Sequence, residues 1–245
     1  MATQSREMLG WGKINRRRER LQPFAPDFSA WENALPPYLK LAYLPNPGAV
    51  RLRLSAYEVE GESVSKEIER QFEALRRIIP HNIIGYETAT MQELIHKLLT
   101  ERRQTLATAE SCTGGTIAAR FTAMPGASAY FLCGVVSYSN ASKQAVLGVD
   151  PDTIARYGAV SEQVARQMAE GARRISGADY AVSTTGIAGP AGGTAEKPVG
   201  TVWIAVAGPR RTVALLKQCG SDRGQIIDRA GAFALGLLRD ELNGK

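Results

Sequence analysis

Apolar positions fall into a regular pattern from Tyr38 onward. Leu39, Leu41 and Tyr43 alternate with Lys40 and Ala42, and Val50, Leu52 and Leu54 alternate with Arg51 and Arg53. A period of two predicts two strands, each buried on one face. Pro45-Asn46-Pro47-Gly48 between them has the composition of a turn. The period then changes: Val64, Ile68, Phe72, Leu75 and Ile79 step at helical spacing until Pro80 stops the helix. Ile83-Ile84 opens a short strand that Gly85 closes. Residues 37–88 are thus expected to form a small α+β domain. Residues 1–36 show no period, hold Pro23, Pro26 and Pro36, and read as an irregular basic arm with one or two helical turns over Asp27–Ala34.

Thr90-Met91-Gln92-Glu93 has the form of a capping box and opens a helix carrying Leu94, Ile95, Leu98 and Leu99. Beyond it, strands alternate with helices. Strands are predicted at Thr105–Glu110, Phe131–Tyr138, Tyr180–Thr185, Thr201–Ala207 and Val213–Leu216. Helices are predicted at Thr116–Thr122, Ala141–Leu147 and Asp152–Tyr157. A longer helix capped by Ser161 turns Val164, Met168, Ala172 and Ile175 inward. A last one capped by Asp222 does the same with Ile226, Ala230, Ala234 and Leu237. This alternation predicts an α/β domain over 89–245, a three-layer α/β/α sandwich on a mixed sheet. Gly186 to Gly200 is a fifteen-residue loop with five glycines and two prolines. Loops of that length are uncommon in compact domains unless they carry function.

Composition changes this picture little. The 44% hydrophobic and 22% charged content is that of an ordinary globular chain. No apolar run approaches the roughly 20 residues that cross a bilayer, and the N-terminus lacks signal-peptide order. The net charge of +6 is uneven: residues 1–20 hold six basic and two acidic side chains, leaving only +2 for the rest. The excess therefore marks a solvated arm in preference to a nucleic-acid-binding face. Cys112, Cys133 and Cys219 lack metal-ligand spacing and fit the reduced thiols of a cytoplasmic protein. No metal and no cofactor is expected.

Candidate chemistry concentrates in two runs, Ala109-Glu110-Ser111-Cys112-Thr113-Gly114-Gly115 and Ser137-Tyr138-Ser139-Asn140-Ala141-Ser142-Lys143. His81 and His96, the chain's two histidines, lie upstream of both, so a lysine-activated serine replaces a Ser-His-Asp triad as the expected arrangement. On spacing alone, Ser111 serves equally as a helix cap or a nucleophile, and Lys143 reads as a solvated lysine. Tyr138 reads equally as a half-buried strand-end residue or a proton relay. Arg223, at a helix start where the dipole slightly disfavours it, suggests a functional partner. Cys112, beside Ser111, reads as a packed core cysteine.

These two runs, together with Gly158-Ala159-Val160-Ser161, Thr185-Gly186-Ile187-Ala188-Gly189-Pro190 and Glu196-Lys197-Pro198-Val199-Gly200-Thr201, resemble the C-terminal domain of the CinA family over about residues 90–243. Leu41–Arg53 resembles the KH-like middle domain of longer members. Their N-terminal molybdopterin-binding-like domain is expected to be absent, and its ADP-ribose pyrophosphatase activity with it. The resemblance implies a nicotinamide-nucleotide amidase that converts nicotinamide mononucleotide to nicotinate mononucleotide and ammonia, working as a homodimer. It implies Ser111 as nucleophile and Lys143 as base, with Tyr138 and Arg223 at the active site. Arg223 would act either on the substrate phosphate or in lowering the lysine pKa. Glu110, Thr113, Gly114, Gly115, Asn140, Thr185, Gly186, Gly189 and Lys197 are the expected substrate-binding residues. Thr113, Gly114 and Gly115 would supply backbone donors as an oxyanion hole or phosphate cradle, or form a plain turn. Thr185 and the Gly186–Gly189 backbone would form the opposite wall, and Lys197 would be a phosphate ligand or a solvated charge. Ala141 and Ala191 stand where many relatives have acidic residues, which bears on substrate preference. A non-catalytic nucleotide- or nucleic-acid-binding module is the alternative, but residues 38–88 lack the Gly-x-x-Gly clamp of nucleic-acid-binding KH domains.

Overall fold

The computed structural model describes residues 4–11, 28–46, 49–57, 62–80, 83–86 and 90–244. The chain divides between Leu94 and Ile95 into two compact units.

The first unit is a four-stranded antiparallel sheet in the order β2-β3-β1-β4, built from β1 (Gln4–Trp11), β2 (Leu39–Asn46), β3 (Ala49–Ala56) and β4 (Ile83–Tyr86). Helices α1 (Ser29–Asn33) and α2 (Glu62–Ile78) complete it. Leu52 and Leu54 of β3, Met8 of β1, and Val64, Ile68, Phe72 and Leu75 of α2 share one core. Trp31 of α1 joins it, its indole N–H donating to the Gln71 carbonyl at 3.1 Å. The N-terminal stretch is therefore not wholly irregular: Gln4–Trp11 is an interior strand, paired with β3 on one side and β4 on the other. Its Glu7 forms an ion pair with Arg51 at 2.9 Å. The hairpin register ends on Asn46 opposite Ala49; the Pro47-Gly48 part of the expected turn lies outside the described residues.

The second unit begins in α3 (Met91–Arg102), where the capping box forms: Thr90 N–H donates to Glu93 at 2.6 Å and Glu93 N–H to the Thr90 hydroxyl at 3.3 Å. Then come β5 (Leu106–Glu110), α4 (Thr116–Thr122), β6 (Phe131–Val136), α5 (Asn140–Leu147), α6 (Pro151–Tyr157) and α7 (Glu162–Ser176). β7 (Tyr180–Gly186), β8 (Thr201–Ala207), β9 (Thr212–Gln218) and α8 (Arg223–Leu242) follow. The sheet order is β6-β5-β7-β8-β9. β5 runs parallel to both β6 and β7, and β8 and β9 are antiparallel additions, so the sheet is mixed. From β5 the chain reaches β6 through α4 and then crosses back to β7 through α5, α6 and α7. The carboxyl end of β5 is thus a topological switch point, where open α/β sheets place their crevice.

Alanines bring the layers close. Ala107, Ala109 and Ala181 pack with Leu147, Val164, Met168 and Ala172, while Ala165 and Ala169 meet Ala205 and Ala207. Gly171 of α7 lies against α5: a Cβ there would stand 2.0 Å from the Leu147 carbonyl oxygen. Two positions expected to face inward do not. Ile175 is exposed, and Leu237 is half-buried while Leu238 takes the core position. At Leu237 the helix turn sets the difference, since the inner stripe of α8 drifts by one residue over its length. Among the described residues, no helix is long and apolar enough to cross a membrane.

Candidate active site

Ser111 follows the last residue of β5, and its N–H continues the ladder by donating to the Thr184 carbonyl at 3.0 Å. The turn after it is held by Glu110. This wholly buried carboxylate accepts from the N–H groups of Gly115 (3.0 Å), Ile117 (3.1 Å) and Ala118 (2.8 Å). Those are donors that the first turn of α4 leaves unpaired, and a negative charge suits that helix end. With both oxygens bonded to backbone N–H groups, Glu110 holds the turn that carries Ser111.

This bonding corrects the expected donor set. The Gly115 N–H is spent on Glu110 and the Gly114 N–H on the Ser111 carbonyl at 3.1 Å. Gly114 and Gly115 instead supply the left-handed conformations, φ 61° and 98°, that bend the chain into α4. Of the turn's donors, those of Cys112 and Thr113 make no hydrogen bond to another residue's backbone among the described residues. The Thr113 hydroxyl is turned away to Thr184, 2.7 Å from its Oγ1.

Lys143 lies in the first turn of α5, which Ser139 caps in a reciprocal pair with Ser142. It is not solvated: it is 1% exposed, and its Nζ lies 3.0 Å from Ser111 Oγ. The same nitrogen donates to the Ser137 carbonyl at 2.8 Å and the Tyr138 carbonyl at 3.3 Å. Burial pushes the lysine pKa down, since desolvation disfavours the charged form. A neutral amine has two N–H bonds and one lone pair. With both N–H bonds on carbonyls, the lone pair is left for the serine hydroxyl. Such a pair can activate a serine as a nucleophile without histidine. His96 takes no part in it; its ring packs edge-on against Tyr130 with centroids 5.2 Å apart. His81 lies outside the described residues.

Tyr138 belongs to this site through its backbone, while its ring does not sit between Ser111 and Lys143. The residue is 62% exposed, beyond the end of β6, and its hydroxyl accepts from Arg223 Nη2 at 3.1 Å. Arg223 also donates from Nη1 to the Gly189 carbonyl at 2.8 Å. One guanidinium thus joins the start of α8, the Gly186–Gly200 loop and the segment after β6. Asn140 is exposed at the start of α5, as are Ala141 and Ala191. Thr185 is buried and donates to the Ala159 carbonyl at 2.8 Å, and Gly186 ends β7 beside Cys112. Lys197 is neither a solvated charge nor a free cation. Its ammonium donates to the carbonyls of Tyr157 (2.7 Å) and Val160 (2.9 Å), fastening the long loop to the chain before α7. Cys112 is packed as expected, and burial pushes its thiol up to about 12. Sequence reasoning did not single out Ser137. Its buried side chain and lysine-binding carbonyl depend on strand register, which no local pattern displays.

Residues 88–242 match the family model for the CinA C-terminal domain. The chain is 43% identical over 219 residues to a CinA-like protein of Flavobacterium psychrophilum, covering 89% of this chain and 52% of that protein. It is 42% identical to a CinA-like protein of Cytophaga hutchinsonii, covering 86% and 51%. It therefore spans about half the length of the curated relatives it matches. Among solved structures it resembles the competence/damage inducible protein CihA from Agrobacterium tumefaciens. That match has 41% identity and a TM-score of 0.61, over 62% of this chain and 93% of the other. A CinA superfamily protein from Escherichia coli matches at 32% identity and a TM-score of 0.60, over 62% and 88%.

Proposed function

Because the chain belongs to the CinA family through its C-terminal domain, we propose that it hydrolyses the carboxamide of nicotinamide mononucleotide to nicotinate mononucleotide and ammonia. The observation that carries this reading is the buried contact of 3.0 Å between Lys143 Nζ and Ser111 Oγ, made by an amine whose pKa burial lowers. Family resemblance in the motifs around that pair supports the choice of substrate.

In this reading Lys143 accepts the Ser111 proton as Oγ bonds to the carboxamide carbon. The positive pyridinium ring makes that carbon more electrophilic than an ordinary amide's. The tetrahedral oxyanion is received by the N–H groups of Cys112 and Thr113, donors of the turn that bond to no other residue's backbone among the described residues. Ammonia leaves after the nitrogen is protonated, and water then attacks the acyl-enzyme with Lys143 again as base. Arg223, in contact with Tyr138 and Gly189, meets the nucleotide's phosphate, while Asn140, Thr185, Gly186 and Lys197 shape or brace the walls around it. Glu110 acts only by positioning the turn.

The test is ammonia release from nicotinamide mononucleotide by the native chain, Ser111→Ala and Lys143→Ala. The reading holds if only the native chain turns over. A folded native chain that releases no ammonia removes this substrate. An active Ser111→Ala variant removes the nucleophile.

A further inference from the structure

The buried end of the sheet holds a row of three hydroxyls. The ladder between β5 and its neighbours continues one step past the paired residues. Ser137 N–H donates to the Glu110 carbonyl at 2.8 Å, and Ser111 N–H to the Thr184 carbonyl at 3.0 Å. That step sets Ser137, Ser111 and Thr185 side by side on three parallel strands, about 4.8 Å apart by strand spacing. Their exposures are 0%, 8% and 1%. Strand alternation puts all three on the face where Ala109 and Val135 pack, the side that α5 and α7 cover.

Two of the three have partners: Thr185 donates to the Ala159 carbonyl, and Ser111 contacts Lys143. The third does not. Ser137 Oγ is buried with no hydrogen-bond partner among the described residues, although the carbonyl of the same residue holds the lysine amine at 2.8 Å. A buried hydroxyl left unpaired weakens the fold, and alanine would remove that penalty while giving up one small atom of packing. Groups that break a local rule in this way concentrate at functional sites. The residue's own carbonyl holds Lys143 and its backbone pairs beside Ser111, and rotation about one side-chain bond would carry its hydroxyl among three staggered positions.

We propose that the Ser137 hydroxyl relays the proton from the Lys143 ammonium to the departing nitrogen of the carboxamide. The inference rests on the amidase reading above. Lys143 has taken the Ser111 proton, and Oγ has bonded to the carbon. As the carbon–nitrogen bond breaks, Lys143 passes its proton to Ser137 Oγ, and Ser137 passes its own proton to the nitrogen. Ammonia leaves, the oxyanion returns to a carbonyl, and Lys143 is neutral again, ready to deprotonate water. An amide requires this step, because an unprotonated amine anion does not leave; a phenyl ester does not require it, because phenolate leaves without a proton.

The experiment compares kcat/KM, which reports acylation, for nicotinamide mononucleotide and for the phenyl ester of nicotinate mononucleotide. The native chain, Ser137→Ala and Ser137→Thr are measured, together with their thermal midpoints. Ser137→Ala is expected to lower the value for the amide about a hundredfold, leave the ester within about threefold, and keep or raise the midpoint. Ser137→Thr, which keeps a hydroxyl, restores most of the amide value. Equal losses on both substrates, or no loss on the amide, overturn the relay. A lowered midpoint in Ser137→Ala overturns it too, because the hydroxyl would then be a bonded structural group. If the native chain releases no ammonia, the amidase reading fails first and the relay with it. If the native chain is active and Ser111→Ala is not, the Ser137 results judge the relay alone.

Discussion

The candidate site has two halves that differ in their exposure to water. Ser111 and Lys143 are 8% and 1% exposed; Tyr138, which precedes Lys143 in the chain, is 62% exposed and shares its hydroxyl with Arg223. Tyr138 belongs to both halves, since its carbonyl accepts from the buried lysine and its phenol from the exposed arginine. Inside, desolvation can lower the pKa of a lysine and make it a base. Outside, a guanidinium keeps its charge and works in screened surroundings, where one contact contributes little. Under the proposed function, reactivity belongs to the inner half and capture of a phosphate-bearing substrate to the outer, so their variants should fail in different ways.

The largest effects are expected inside. Ser111→Ala and Lys143→Met should each lower kcat by about four orders of magnitude or more, as removal of a nucleophile or its base does elsewhere. Lys143→Met also tests the cause of the low pKa. The folded-state pKa is depressed, so between that value and the unfolded value near 10.4 the unfolded chain binds the extra proton. The native chain should therefore gain stability as pH rises through that window. Lys143→Met should be the more stable protein near neutrality, with an advantage that shrinks toward about pH 10.4. Urea midpoints at a series of pH values check this. In the native chain, kcat/KM should rise with pH along a limb that Tyr138→Phe leaves in place.

Gly171→Ala comes next and attacks the inner half from a distance. The added Cβ would meet the Leu147 carbonyl oxygen at 2.0 Å, at the end of the helix that carries Lys143. α5 and α7 must separate, at about 1–3 kcal/mol. A displacement of the lysine by about 1 Å would lower kcat roughly a hundredfold. Thermal unfolding and kcat should fall together, and a loss of stability with full activity would show that the amine is held by its own contacts alone.

Outer-half changes should be smaller and appear in KM. Arg223→Gln removes the charge that touches both Tyr138 and Gly189. It should raise KM about tenfold to a hundredfold, an effect that fades as salt is added. Tyr138→Phe keeps the carbonyl that Lys143 uses and loses only the phenol bond, so a change of about tenfold or less is expected. A fall in kcat with unchanged KM in either variant would erase the division between the halves.

The same division explains what could be read from the sequence. The second unit's elements were legible because their periods are long and their caps, Thr90, Ser161 and Asp222, carry side chains that bond as their positions suggest. Gln4–Trp11 was not legible as a strand: Ser5, Arg6 and Glu7 interrupt any alternation, and its place between β3 and β4 comes from pairing across the sheet. In the site, the runs themselves stood out, but the spending of the Gly115 N–H on Glu110 and the depth of Lys143 are tertiary facts. The partners of Lys197 were hidden for the same reason, because carbonyls 40 and 37 residues away hold its ammonium.

The smallest effect is expected at the thiols, which sit beside the inner half without belonging to its chemistry. Cys112 follows Ser111 in the chain, yet burial pushes its pKa up to about 12 and that of Cys219 up to about 11. Only the thiolate attacks carbonyl carbons or alkylating reagents efficiently, and at pH 8 both residues stay protonated. Cys112→Ala should keep kcat within a few-fold of the native value, the residue loss reflecting slack beside Gly186, whose added Cβ would lie 3.0 Å from this sulfur. Iodoacetamide at pH 8 should leave Cys112 unlabelled by mass spectrometry. If Cys112 were instead labelled, with loss of activity that Cys112→Ala reproduces, the inner half would hold a thiolate, and the assignment of its nucleophile to Ser111 would have to be given up.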